Sequence, residues 1–183
     1  KRFCRINQLL KKKKLSDTTS YQYRYLCGPY PEGDPVIELF IHPIDNVIQL
    51  FGNAVIRNIL KVQKHGNLTI FIMLGHVSGV AGCIELSTDY SWSSPVDYLE
   101  INRQNEIIKA SYPYHLTGLS KPKAVLGLPV EKVIKQPAIQ KTYLDNTGFA
   151  PIAENNSLIL QGFFGEIEHF VRSVEDDRLN DEH

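Results

Sequence analysis

Short apolar runs with a two-residue period dominate the chain. Tyr21, Tyr23 and Tyr25 alternate with Gln22 and Arg24, the pattern of a half-buried strand. The stretch Cys27-Gly28-Pro29-Tyr30-Pro31-Glu32-Gly33-Asp34-Pro35 is a turn region. Val36 to Ile41 reads as a second strand. Leu68 to Leu74 and Val80 to Leu86 are two longer apolar runs joined by Gly75-His76-Val77-Ser78-Gly79, a pattern that predicts an antiparallel pair. Asp97 to Ile101, Glu106 to Ser111, Ser157 to Phe164 and Glu166 to Val171 supply further strands. One helix breaks the series over residues 45–60. Asp45 is its candidate N-cap, and Val47, Ile48, Phe51, Val55, Ile56 and Ile59 follow at helical spacings around the weakening Gly52.

These elements predict an all-β chain, an antiparallel jelly-roll β-sandwich with one short helix. The domain reading is a basic N-terminal arm and linker over 1–20, a sandwich over 21–172 and an acidic tail over 173–183. A length of 183 residues suits one core that forms without disulfides or metals. Nine Tyr and eight Phe beside a single Met lean toward strands. The 20 basic and 20 acidic residues cancel, yet Lys1, Arg2, Arg5 and Lys11 to Lys14 crowd one end. Acidic side chains crowd the other. Arg2, Arg5, Lys11, Lys12, Lys13 and Lys14 are therefore candidate phosphate contacts, giving salt-sensitive binding of nucleic acid.

Candidate chemistry is sparse. Cys4, Cys27 and Cys83 show no C-x-x-C spacing, and six histidines (His42, His65, His76, His115, His169, His183) show no paired spacing, so no metal site is indicated. Gly75-His76-Val77-Ser78-Gly79 puts its serine one place late for a nucleophile elbow. No phosphate-cradling glycine loop occurs, so no cofactor is expected. The expectation is a non-enzymatic chain. Trp92, Tyr112, Tyr114 and Phe149 are candidate interface residues, since large aromatics in loops anchor contacts. Trp92 equally suits a loop anchor or a sugar-stacking platform.

The helix around Val47 to Ile59, Lys64-His65-Gly66-Asn67-Leu68-Thr69-Ile70-Phe71, Val77 to Leu86 and Glu106 to Tyr114 with its Pro113-Tyr114 pair together resemble the middle of picorna-like virus capsid proteins. The aromatic-Trp-Arg-Gly stretch common in that family is replaced by Val62-Gln63-Lys64-His65-Gly66. The resemblance implies a structural capsid protein, the smaller subunit of a plant or insect virus. It would assemble with other jelly-roll subunits into an icosahedral shell, with genomic RNA against the basic arm, in the virion and in the host cytoplasm during assembly. The alternative reading is a β-sandwich module that binds carbohydrate or another ligand.

Overall fold

The computed structural model describes residues 4–13, 15–121, 124–125, 128–129, 139–145 and 162–175. Helix α1 (Arg5–Lys12) leads to strand β1 (Thr18–Leu26), a π-helical turn (Val36–Phe40) and helix α2 (Ile41–Phe51). Then come β2 (Ala54–Lys64), β3 (Asn67–His76), β4 (Ala81–Ser87), β5 (Val96–Arg103), β6 (Glu106–Ser111) and β7 (His115–Ser120). The two-residue β8 (Ala124–Val125) and β9 (Leu128–Pro129), β10 (Gln140–Asp145) and helix α3 (Phe163–Glu175) complete the described chain.

The jelly-roll expectation is overturned. One mixed sheet of eight strands runs in the order β10-β7-β6-β5-β1-β4-β3-β2, with helices packed on one of its faces. Strands β1 and β4 pair parallel, Ser20 opposite Ala81 through Leu26 opposite Ser87, and the other ladders of this sheet are antiparallel. The alternation read from the sequence does set the buried face. Tyr21 and Tyr23 of β1, Ile70 and Ile72 of β3, Ile84 and Leu86 of β4, Leu99 and Ile101 of β5 and Ile108 of β6 all point under the helices. Ile6 and Leu10 of α1 and Phe40, Val47 and Phe51 of α2 close that core from above. A second sheet is not needed to cover it.

Three elements differ from the sequence reading. Val36 to Ile41 is helical, because the Asp34 side chain caps the Val36 amide at 2.8 Å and Pro35 presets a helical φ. Helix α2 stops at Phe51 because Gly52 takes φ 85°, and its amide closes the last turn on the Ile48 carbonyl at 2.8 Å. Val55, Ile56 and Ile59 consequently belong to β2. Glu166 to Val171 is α3 and not a strand. Its apolar residues Phe163, Phe164, Ile167, Phe170, Val171 and Val174 share one exposed stripe, while Gly165, Glu166, His169 and Ser173 are half-buried. Residues 157–161 of the other expected closing strand lie outside the described residues.

Among the first twenty residues, the described ones form α1, a 3-10 turn and the start of β1. Ile6, Asn7 and Leu10 of α1 are fully buried, so this helix is part of the folded body. Residues 173–175 close α3, and the rest of the acidic end lies outside the described residues.

Candidate active site

Because β1 and β4 are parallel, their C-terminal ends meet at one end of the sheet. The two chains leave together, with the Cys27 amide on the Ser87 carbonyl at 2.9 Å and the Tyr90 amide on the Cys27 carbonyl at 3.0 Å. The segment after β1 then turns through Pro29, Pro31 and Gly33 into the π-helical turn. Such turns are rare, and they frequently occur at functional sites.

This turn carries an acid, and the helix that continues it carries an imidazole. The Tyr30 hydroxyl donates to Glu38 Oε2 at 2.5 Å, and the carboxylate holds the phenol above its ordinary value. A Cβ at Gly33 would overlap Glu38 Oε1, so glycine leaves that oxygen its space. His42 lies four residues on, one turn along the same helical rod, and is exposed. Beside them Ile37 is 70% exposed and Ile41 48% exposed, an apolar rim around a polar pair.

A buried network fixes the rod. Asn46 of α2 donates to the Tyr112 hydroxyl at 3.0 Å and the Tyr23 hydroxyl at 3.3 Å, and it accepts from Asn7 Nδ2 at 2.5 Å. Tyr23 donates in turn to Asp97 Oδ1 at 2.6 Å. Burial holds both phenols well above 10.0, so they are donors at neutral pH. Phe40 meets Tyr25 edge-on at 6.3 Å, and Phe51 stacks on Tyr21 at 4.6 Å. Helix α2 is thereby pinned antiparallel to β1, its first turn above the sheet end where the site sits. Pro95 to Tyr98, Ser111, Tyr112 and Arg24 line a cleft of about 400 Å³ at this same end.

The sequence-predicted residues are scattered. Arg5, Lys11 and Lys12 project from α1 into solvent. Lys13 stands 3.5 Å from Glu106 Oε2 and 3.4 Å over the Tyr143 ring. Tyr112 belongs to the buried network. Tyr114 lies 6.5 Å from the His115 ring. Trp92 stands beside the candidate site, its Nε1 donating to the Pro29 carbonyl at 2.8 Å, and Tyr112 also lines the cleft at that end. Arg2, Lys14 and Phe149 lie outside the described residues. Sequence reasoning missed Glu38 and His42 because Val36 to Ile41 looked like a strand. The signal was Asp34-Pro35, an N-cap and a helix-starting proline directly before an apolar run.

No family model matches the sequence, and no curated protein matches it. Solved structures do. Levoglucosan dehydrogenase matches with TM-score 0.71 and 13% identity over 99% of this chain and 57% of its own. A dehydrogenase from Chromobacterium violaceum gives TM-score 0.67 and 16% identity over 97% of this chain and 52% of its own. UDP-N-acetylglucosamine 3-dehydrogenase GnnA from Acidithiobacillus ferrooxidans gives 0.65 and 17%, over 97% and 52%. The chain shares its fold with about half of each of these structures. These neighbours are oxidoreductases of the Gfo/Idh/MocA type.

This likeness overturns the capsid reading with its virion setting, since the matching structures are enzymes and the sheet does not fold into a sandwich. The non-enzymatic expectation and the β-sandwich binding module fall for the same reason. The chain spans about half the length of the solved structures it matches.

Levoglucosan dehydrogenase is also solved in complex with NADH. The described residues of this chain do not fit such a dinucleotide. Their one parallel pair, β1 with β4, is not a doubly wound sheet, and no glycine-rich turn opens a helix after a strand. Among the described residues no cluster of His, Cys, Asp and Glu could hold a metal, and no helix is long and apolar enough to cross a membrane.

Proposed function

We propose that this chain supplies the substrate-binding, proton-accepting side of an oxidoreductase that acts on a carbohydrate hydroxyl. The observation that carries the reading is Glu38 on a π-helical turn, hydrogen-bonded to Tyr30 and one turn before His42 in α2, at one end of a sheet shared with carbohydrate dehydrogenases. Oxidation of an alcohol removes the hydroxyl proton and a hydride from carbon. A nicotinamide dinucleotide held outside the described residues would take the hydride, and the described residues supply an acceptor for the proton.

In this reading the His42 imidazole takes the proton, since histidine exchanges protons close to neutral pH. Glu38 accepts a hydrogen bond from a neighbouring substrate hydroxyl through Oε1, its Oε2 being committed to Tyr30. Tyr30 acts as a positioning residue that fixes the carboxylate. Ile37 and Ile41 form an apolar rim from which a bound substrate would displace water.

The test is a titration of the isotope-labelled chain with levoglucosan, followed by amide and imidazole NMR. Shifts confined to residues 28–42 and 88–97, and lost in His42→Ala, are the expected result. Saturating sugar that leaves those signals unmoved overturns the reading.

A further inference from the structure

The chain holds a single tryptophan, and the fold places it at this site in a constrained way. Trp92 sits in the loop between β4 and β5, on top of the loop that leaves β1. Its Nε1–H donates to the Pro29 carbonyl at 2.8 Å. A Cβ at Gly28 would overlap the indole, so the ring edge rests on glycine backbone. The loop is closed on itself by the Ser93 amide to Ser91 Oγ at 3.1 Å and the Ser94 amide to the Ser91 carbonyl at 3.2 Å. The Tyr90 amide ties it to Cys27.

Despite these restraints Trp92 is 50% exposed. The one polar atom of the indole is already used inside the protein, so its exposed surface is the apolar ring. A rigid, uncovered aromatic plate with its hydrogen bond satisfied is suited to stacking on a flat apolar face. Pro29, which holds the indole, directly precedes Tyr30, which holds Glu38, and consecutive α-carbons are about 3.8 Å apart. Tyr90, 49% exposed, adds a second ring to the same loop.

We infer that Trp92 is a specificity-determining residue, an aromatic wall on which the C–H face of a ring-shaped sugar packs while its hydroxyls meet Glu38 and His42. This rests on the function proposed above and deepens it: the wall selects cyclic over open-chain polyols, because only a ring presents a continuous apolar face.

The single indole makes the intrinsic emission a direct reporter. Titration with levoglucosan should give a saturable change in emission, and an open-chain sugar alcohol should give none. By calorimetry Trp92→Ala should weaken levoglucosan binding about fivefold and Trp92→Phe about twofold, fivefold being about 1 kcal/mol of aromatic contact. Circular dichroism checks that both variants fold, and the phenylalanine variant keeps the comparison meaningful if the alanine variant does not. Sugar binding seen by calorimetry with emission unchanged overturns the wall and leaves the proposed function standing. Absence of binding by calorimetry and NMR overturns both. Emission that shifts with protein concentration in the absence of sugar makes the indole a subunit contact, and the wall falls.

Discussion

The Tyr112 hydroxyl donates to Asn7 Oδ1 at 2.7 Å, joining residues 105 positions apart. The bond ties the N-terminal helix to the corner after β6, and Asn46 completes the circuit from α2. Three elements that share no local sequence are therefore locked by one set of side chains. That lock holds the rod bearing Glu38 and His42 in place.

Opening the circuit should be costly. Asn46 is fully buried, and Asn46→Ala takes an acceptor from Asn7 Nδ2 and a donor from each of the Tyr23 and Tyr112 hydroxyls. A loss of about 3 kcal/mol is expected from urea unfolding, at the upper end for unsatisfied buried groups.

High pH should attack the same place. Tyr23 and Tyr112 keep their protons far above the ordinary 10.0 because burial disfavours phenolate. The unfolded chain releases those protons near pH 10, so this contribution to stability is intact below that pH and lost as pH rises toward the folded values. The expected slope is about 1.4 kcal/mol per pH unit for each group. A urea midpoint that stays constant from neutrality to well above pH 10 would contradict it.

Deleting residues 1–14 should unfold the domain. Ile6 and Leu10 are completely buried in the common core, so helix α1 is structural. Leu10→Ala alone should lower stability by about 3 kcal/mol in denaturant melts. Full retention of the urea midpoint after truncation would show that α1 is dispensable.

Glu38→Gln should bring the Tyr30 phenol back toward 10, since hydrogen bonding to the carboxylate is the main cause of its elevation. NMR titration of ring-labelled tyrosine reads this directly. The same variant should weaken levoglucosan binding without moving the urea midpoint, because the pair is at the surface.

The stripe on α3 is exposed, so charge there should be tolerated. Ile167→Lys with Phe170→Lys should change stability by less than about 0.5 kcal/mol while reducing binding of a hydrophobic dye. A large loss of stability would show that the stripe is covered.

The sequence by itself determined the strands whose alternation is unbroken. Leu68 to Leu74 fall in β3, all of Val80 to Leu86 but Val80 falls in β4, and Asp97 to Ile101 and Glu106 to Ser111 fall in β5 and β6, because a period of two buries one face whatever partner the strand finds. Which strands become neighbours was not legible. A sandwich and a single sheet need the same alternation, and only the non-local parallel pairing of β1 with β4 decides between them. Short apolar runs were ambiguous for a related reason: Val36 to Ile41 suits a strand or a helix until Asp34 caps it and Phe40 finds Tyr25. The candidate site turned on that choice. As strand residues Glu38 and His42 would stand about 13 Å apart. On a helical rod they are one turn apart, and it took the packing of α2 across β1 to make them one.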